Sequence, residues 1–350
     1  MLSTNNNAPD RSRTIQHSNW AQRLWVGKLN GRTRMRQESL PVLACPRCLG
    51  PLSSPRAGSN SWSVAEVECT DEKLRFPVID GIPQLVSPER ADAVRAIAEA
   101  YSRVWQRDGW GCSAPSYLLN LPDRDITGRQ SVKWRVKARS MDALFELFRT
   151  LAPRRVLDLG CGVGWLTNRL ARRGYEAFAV DIVQDSALGL RAADVYLRAG
   201  SVFERVWGEL ERPPFLDGTF DAIICNASLH YAASLEVALA EVNRVLRPDG
   251  VFVVMNSPVH NEALSAERAE RSFRRRLSLL GASEYLVSRY HHLVRSRLEA
   301  ALAAAIGPPR HQSFDPGRGF RLNRRAKGVL LGMELASFPI IWAQKRAEPT

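Results

Sequence analysis

The chain has 350 residues, 45% hydrophobic and 24% charged, a globular composition that excludes wholesale disorder, collagen and coiled coil. Its +13 formal charge sits at the ends: residues 1–40 hold 7 basic and 2 acidic residues, residues 261–350 hold 16 and 8, and the middle is neutral. With no run of ~18 apolar residues, no signal-peptide core at the start and only six cysteines, the expected protein is soluble and cytoplasmic, without a membrane span or disulfide scaffold.

Residues 1–39 are rich in Asn, Ser and Arg without a clean period, and read as a disordered basic tail. Residues 40–87 form a small unit punctuated by Gly and Pro, with strand-like runs at Ser63–Glu68 and Arg75–Ile79. Within it C-P-R-C (Cys45–Cys48) opens a zinc-knuckle pattern, and Cys69 supplies a third thiolate. Glu72 stands where C-x-x-C spacing would put a fourth ligand, so the ligand set for zinc is incomplete. The spacing of apolar residues predicts helices over Ala91–Trp105 and Val132–Leu151, which makes 88–150 a helical linker or cap. Between them lies an irregular, aromatic-rich link around Trp110 and Tyr117. From Arg155 to Asn256 strands and helices alternate, the pattern of a parallel sheet with crossover helices. Residues 151–350 form one domain with a basic helical insertion at about 262–306, and Ser337–Gln344 reads as its final strand.

The most informative segment is V-L-D-L-G-C-G-V-G-W-L-T (Val156–Thr167), an apolar strand running into Gly160, Gly162 and Gly164 and then a helix. Glycines there allow a tight turn and let a ligand approach the backbone. Asp181 ends the next apolar run, A-F-A-V-D, where an acidic side chain suits ribose hydroxyls. The G-x-G-x-G spacing differs from the dinucleotide pattern G-x-G-x-x-G. Together the loop, Asp158 and Asp181 indicate a nucleoside cofactor.

These residues resemble the class I S-adenosylmethionine-dependent methyltransferases, particularly the group that includes ubiquinone/menaquinone C-methyltransferases. The resemblance covers about Arg154–Pro258 and continues through G-E-L-E-R-P-P-F-L-D-G-T-F-D (Gly208–Asp221), A-I-I-C-N-A-S-L-H-Y (Ala222–Tyr231) and E-V-N-R-V-L-R-P-D-G-V-F-V-V (Glu241–Val254). It implies an α/β, Rossmann-like seven-stranded sheet with its last strand antiparallel, under a helical cap. It places Glu209 where an acidic group accepts the adenine amino hydrogens, Leu210 beside the ring, and Asp158 at the methionine amine. Most relatives have Asp at the position of Glu209. The expected cofactor set is Asp158, Gly160, Cys161, Gly162, Gly164, Asp181, Ile182, Glu209, Leu210 and Asn226. Cys161 is a small loop residue there, since methyl transfer needs no thiol nucleophile, and Cys112 and Cys225 read as structural. Leu74–Val86, L-R-F-P-V-I-D-G-I-P-Q-L-V, resembles the end of the zinc-ribbon-like domain of the tRNA-methyltransferase activator family. A small N-terminal zinc-ribbon-like β domain is therefore expected.

Asn226-Ala-Ser-Leu-His-Tyr replaces the Asn/Asp-Pro-Pro-Tyr/Phe motif of adenine methylases, and no Pro-Cys motif of cytosine methylases is present. No DNA partner is expected. His230 is the candidate general base, with a free pKa close to working pH. Trp110, Tyr117, Trp134, Tyr290, His291 and His292 are candidate pocket lining. Three functions compete: methyl transfer to a small-molecule acceptor, methylation of RNA held by the basic termini, and a non-catalytic scaffold that keeps the cofactor fold.

Overall fold

A computed structural model describes residues 35–54, 64–282, 284, 287, 290–332 and 334–346. Most of the expected tail, residues 1–34, lies outside the described residues. From Met35 onward the chain is packed: Met35 and Ser39 are buried, and Gln37–Val42 forms a short 3-10 turn.

The amino-terminal unit is a four-stranded antiparallel sheet of β1 (Leu52–Ser53), β2 (Glu66–Cys69), β3 (Arg75–Ile79) and β4 (Ile82–Pro83). It shares a core with the main sheet: Cys45, Cys69, Phe76 and Leu85 pack in the same apolar cluster as Leu157 and Phe178. Three helices follow, α1 (Pro88–Arg107), α2 (Pro115–Asn120) and α3 (Ser131–Leu151). Pro88 opens α1 in the first turn, where the missing amide costs no hydrogen bond.

The main sheet contains β5 (Arg155–Leu159), β6 (Glu176–Asp181), β7 (Glu204–Trp207), β8 (Phe220–Asn226) and β9 (Leu246–Met255). A two-stranded pair, β10 (Val259–His260) and β11 (Leu293–Val294), stands apart, and β12 (Pro309–Gln312) and β13 (Ile340–Gln344) complete the main sheet. Its seven strands run in the order β12-β13-β9-β8-β5-β6-β7. Strands β5 to β9 pair in parallel, and β13 is antiparallel to both neighbours. This is the α/β Rossmann-like architecture expected from the sequence. The central strands are covered on both faces, so β8 is buried along its whole length and reads as an apolar run rather than an alternation. In an open parallel sheet, ligands bind beyond the carboxyl ends of the strands. Here the ends of β5, β6, β8 and β9 all meet the same cavity.

The helical insertion expected over 262–306 is interrupted. A helix covers Ala263–Leu279, Gly281 ends it with φ +82°, and β11 pairs with β10 before a second helix, Arg295–Ala305. A further helix, Arg318–Leu331, was not expected from the sequence; Leu322, Ala326, Val329 and Leu330 follow helical spacing in it, but among basic residues and with Gly319 and Gly328, and Leu322, Val329 and Leu330 are exposed. No helix among the described residues is long and apolar enough to cross a membrane.

Candidate functional site

The glycine loop rests on the end of β6. The amides of Gly160 and Cys161 both donate to the Val180 carbonyl, at 2.8 and 3.0 Å. Gly160 has φ +77°, and a Cβ there would lie 2.3 Å from Ser228 Cβ, so the exit of β8 presses directly on the loop. Gly162, at φ +55°, faces more open space; its Cβ would meet only the Leu188 carbonyl oxygen at 3.5 Å. Gly164 lies behind the loop, where it opens the helix Trp165–Ala171.

Three acidic residues surround this loop, each held differently. Asp158 is completely buried in mid-sheet, paired with Ala179 and Ile224 of its neighbours. Its Oδ2 accepts from the Thr167 amide at 3.1 Å and hydroxyl at 2.7 Å, while Oδ1 is buried with no partner. Burial pushes its carboxyl up to about 7. Asp181 accepts from the Gly162 amide at 2.7 Å and the Val183 amide at 2.8 Å, and burial pushes its carboxyl up to about 6 against those bonds. Glu209 is clamped bidentately by Arg90 of α1, with Nε 2.8 Å from Oε2.

At the end of β8, Asn226 Oδ1 accepts from Asn256 Nδ2 at 2.9 Å, and Asn256 also contacts Ser140 Oγ of α3. Ala227 and Asn256 have φ of +61° and +57°, a left-handed backbone that non-glycine residues adopt at a cost. Sequence reasoning missed Ser140, Asn256 and Arg90, because nothing local marks residues that meet across more than a hundred positions.

His230 lies in the short turn after β8, with Nδ1 3.1 Å from Ser257 Oγ and its ring against Tyr231 and Tyr290. Burial, then the neighbouring His292, pushes its pKa down to about 3. The imidazole is therefore neutral throughout the working range. This corrects the expectation that its ordinary pKa suits it to shuttle protons.

All of these elements open on one cavity of about 1210 Å³, larger than the ~300–1,000 Å³ usual for one ligand. Of the expected cofactor residues, Gly160, Cys161, Gly162, Asp181, Ile182, Glu209, Leu210 and Asn226 line it, while Asp158 and Gly164 lie behind the loop. His230, Trp110, Tyr117, Trp134, Tyr290 and His292 line it too; His291 does not. The cap closes through aromatic contacts, Phe273 on Tyr290 at 4.1 Å and Tyr231 against Tyr101 at 5.1 Å. Cys161 is buried in the loop, and burial holds its thiol well above its ordinary value, so it is no nucleophile. Cys225 is buried in β8.

In the amino-terminal unit the Sγ atoms of Cys45, Cys48 and Cys69 lie within 4.8 Å of one another, with Cys48 and Cys69 at 3.5 Å. Glu72 does not join them. Its amide points at Cys69 Sγ, at 3.3 Å, while its carboxylate turns to Arg47. A Cβ on Gly50 would lie 2.2 Å from Asp71 Oδ2 and 3.2 Å from Cys48 Sγ. Among the described residues no carboxylate joins the three thiols as a ligand.

A family model described as "Methyltransferase domain" matches residues 157–254. Malonyl-[acyl-carrier protein] O-methyltransferase of Legionella pneumophila is 30% identical over 138 residues, covering 37% of this chain and 47% of that protein. Human mitochondrial arginine-hydroxylase NDUFAF5 is 28% identical over 157 residues, covering 41% and 43%. The chain spans less than half the length of these curated relatives. The solved structure of Burkholderia thailandensis 1,6-didemethyltoxoflavin-N1-methyltransferase is 19% identical, with TM-score 0.44 over 79% of this chain and 97% of that one. The strand order, the glycine loop with its two aspartates and the matched segment lead to one conclusion: residues 157–254 match a methyltransferase domain and lie in the Rossmann-like fold of S-adenosylmethionine-dependent methyltransferases.

Proposed function

We propose that this protein transfers a methyl group from S-adenosylmethionine to a small-molecule acceptor. The observation that carries the reading is Asp158 Oδ1, a buried acceptor without a partner beneath the glycine loop. A buried polar atom left unpaired is costly, and a ligand ammonium removes that cost. The residues fit the cofactor: Asp158 for the methionine ammonium, Asp181 for the ribose hydroxyls, and Glu209, fixed by Arg90, with Leu210 for the adenine. When bound, S-adenosylmethionine supplies a methyl group on a sulfonium, with the C–S bonding pair leaving on sulfur. The chain's part is to align the acceptor and exclude water. Tyr231, Tyr290 and Phe273 close the cavity from the cap side. The neutral His230 imidazole, fixed through Nδ1 by Ser257, acts as a hydrogen-bonding group that orients the acceptor's reacting atom. The test is release of S-adenosylhomocysteine in the presence of candidate acceptors; a protein that binds the cofactor but methylates none of a broad panel is a scaffold.

His230→Ala is expected to leave S-adenosylhomocysteine affinity within about twofold and to slow transfer by roughly 10–100-fold, the scale of a lost hydrogen bond. Because the imidazole is already neutral, its pH profile between 5 and 8 should match the wild type. A profile that loses an ionisation in the variant would restore His230 as a titrating base.

We also propose that the three thiolates hold zinc, with the fourth position left to water, since zinc accepts three protein ligands and an open site. The expected metal analysis is one zinc per chain, lost in Cys48→Ala, with a chelator lowering the melting temperature of the wild type only. Purified protein without metal, melting identically with and without chelator, contradicts this.

A further inference from the structure

Lys133 and Lys137 stand one turn apart on α3 and both line the cavity. Their ammonium groups lie 4.9 and 5.5 Å from the centre of the Trp110 ring, and Lys137 is also 5.2 Å from that of Trp134. Like charges at this spacing repel, and a third cation, Lys327 of the helix Arg318–Leu331, lines the same wall. Among the described residues neither lysine has a carboxylate within salt-bridge distance. The carboxylates that line the cavity are already engaged: Asp108 with Arg276, Glu209 with Arg90, Glu211 with the Ala233 amide, and Asp181 with backbone amides. Burial first, and then Lys133, pushes the Lys137 ammonium down to about 8, with Asp158 acting against them from beneath the glycine loop.

We propose that the methyl acceptor is an anion, an aromatic or otherwise apolar body whose carboxylate or phosphate is held by Lys133 and Lys137 against the Trp110 and Trp134 wall. This rests on the reading of the cavity as a methyl-transfer site. An anion between the two ammonium groups forms charge-assisted hydrogen bonds with both and ends their repulsion. The tryptophans supply apolar area for the rest of the molecule. The cofactor's own methionine carboxylate is the other anion of this chemistry. Lys133 feels Asp108, Arg276 and Lys327 of the cap, whereas Lys137 also feels Asp158 under the glycine loop, so the acceptor and the cofactor's carboxylate are separated by the binding experiment below.

The test is calorimetry on the full-length protein, with 2-naphthoate and its neutral counterpart 2-naphthamide as probes, each with and without saturating S-adenosylhomocysteine. Naphthoate is expected to bind about tenfold more tightly than naphthamide. Lys133→Gln with Lys137→Gln should erase that preference while S-adenosylhomocysteine affinity stays within twofold. Equal binding of the two probes, or a preference that survives both substitutions, overturns the proposal. So does a fall in S-adenosylhomocysteine affinity that matches the loss for naphthoate, because it assigns the lysines to the cofactor's carboxylate. If folded wild-type protein binds naphthoate selectively but not S-adenosylhomocysteine, the anion site stands and the methyl-transfer reading fails.

Discussion

Replacing Asp158 with Asn is expected to make the ligand-free protein more stable and the cofactor complex much weaker. In the empty site the carboxylate is completely buried, with Oδ1 unpaired, and its pKa is raised from the ordinary 3.8 to about 7. The folded state therefore holds a proton that the unfolded chain has already released between pH ~4 and ~7. Stability of the free protein falls as pH rises through that window, and near pH 8 a buried charge must be carried. Asparagine keeps an oxygen for the Thr167 amide and hydroxyl but leaves an unsatisfied amide donor. The net gain at pH 8 should be about 1–2 kcal/mol. Against this, losing a charge-assisted hydrogen bond to the cofactor ammonium, worth about 1.5–3 kcal/mol, weakens S-adenosylhomocysteine by roughly 10–100-fold. The pH profile distinguishes this from simple damage. Wild-type affinity should climb as Asp158 ionises near 7. The variant should lose the rising limb. Calorimetric titrations from pH 6 to 9, with thermal melts of the free proteins, read both effects. A variant that melts lower and binds with an unchanged profile removes Asp158 from the site.

Gly162→Arg should abolish cofactor binding in a protein that still folds. The position has φ +55°, so any side chain costs about 1–2 kcal/mol of backbone strain. Nothing but the Leu188 carbonyl stands near its Cβ, so the side chain projects without a core clash. The guanidinium then occupies the space beside Asp181, whose Oδ2 takes the Gly162 amide. Affinity for S-adenosylhomocysteine should drop by more than about 100-fold, because the arginine adds a bulky cation and takes the carboxylate meant for ribose. Circular dichroism should show native secondary structure and a modestly lowered melting point. Unchanged binding would move the cofactor away from this loop.

The sheet and its loop were legible because their signals are local. Fully buried parallel strands write themselves as apolar runs, and a strand-to-loop turn that brings the backbone against a ligand demands glycine at 160 and 162. The residues that complete the site were not legible, because they come from distant parts of the chain. Arg90 reaches Glu209 across 119 positions, and Ser140 reaches Asn256 across 116. The cysteine cluster shows the limit of spacing arguments. Three thiolates at readable intervals do converge, yet the carboxylate of Glu72 turns away to Arg47 because its amide, not its side chain, faces Cys69. Helix Arg318–Leu331 was missed for a different reason: its apolar residues Leu322, Ala326, Val329 and Leu330 keep helical spacing but stand among basic residues and two glycines, which disfavour a helix.

The central claim is that the loop between β5 and the helix Trp165–Ala171, with Asp158 and Asp181, holds S-adenosylmethionine. Calorimetric titration of the folded full-length protein with S-adenosylhomocysteine at pH 7.5 tests it most directly. One-to-one binding in the micromolar range, lost in Gly162→Arg, is the expected result. A folded wild-type protein that takes up neither S-adenosylhomocysteine nor S-adenosylmethionine contradicts the account.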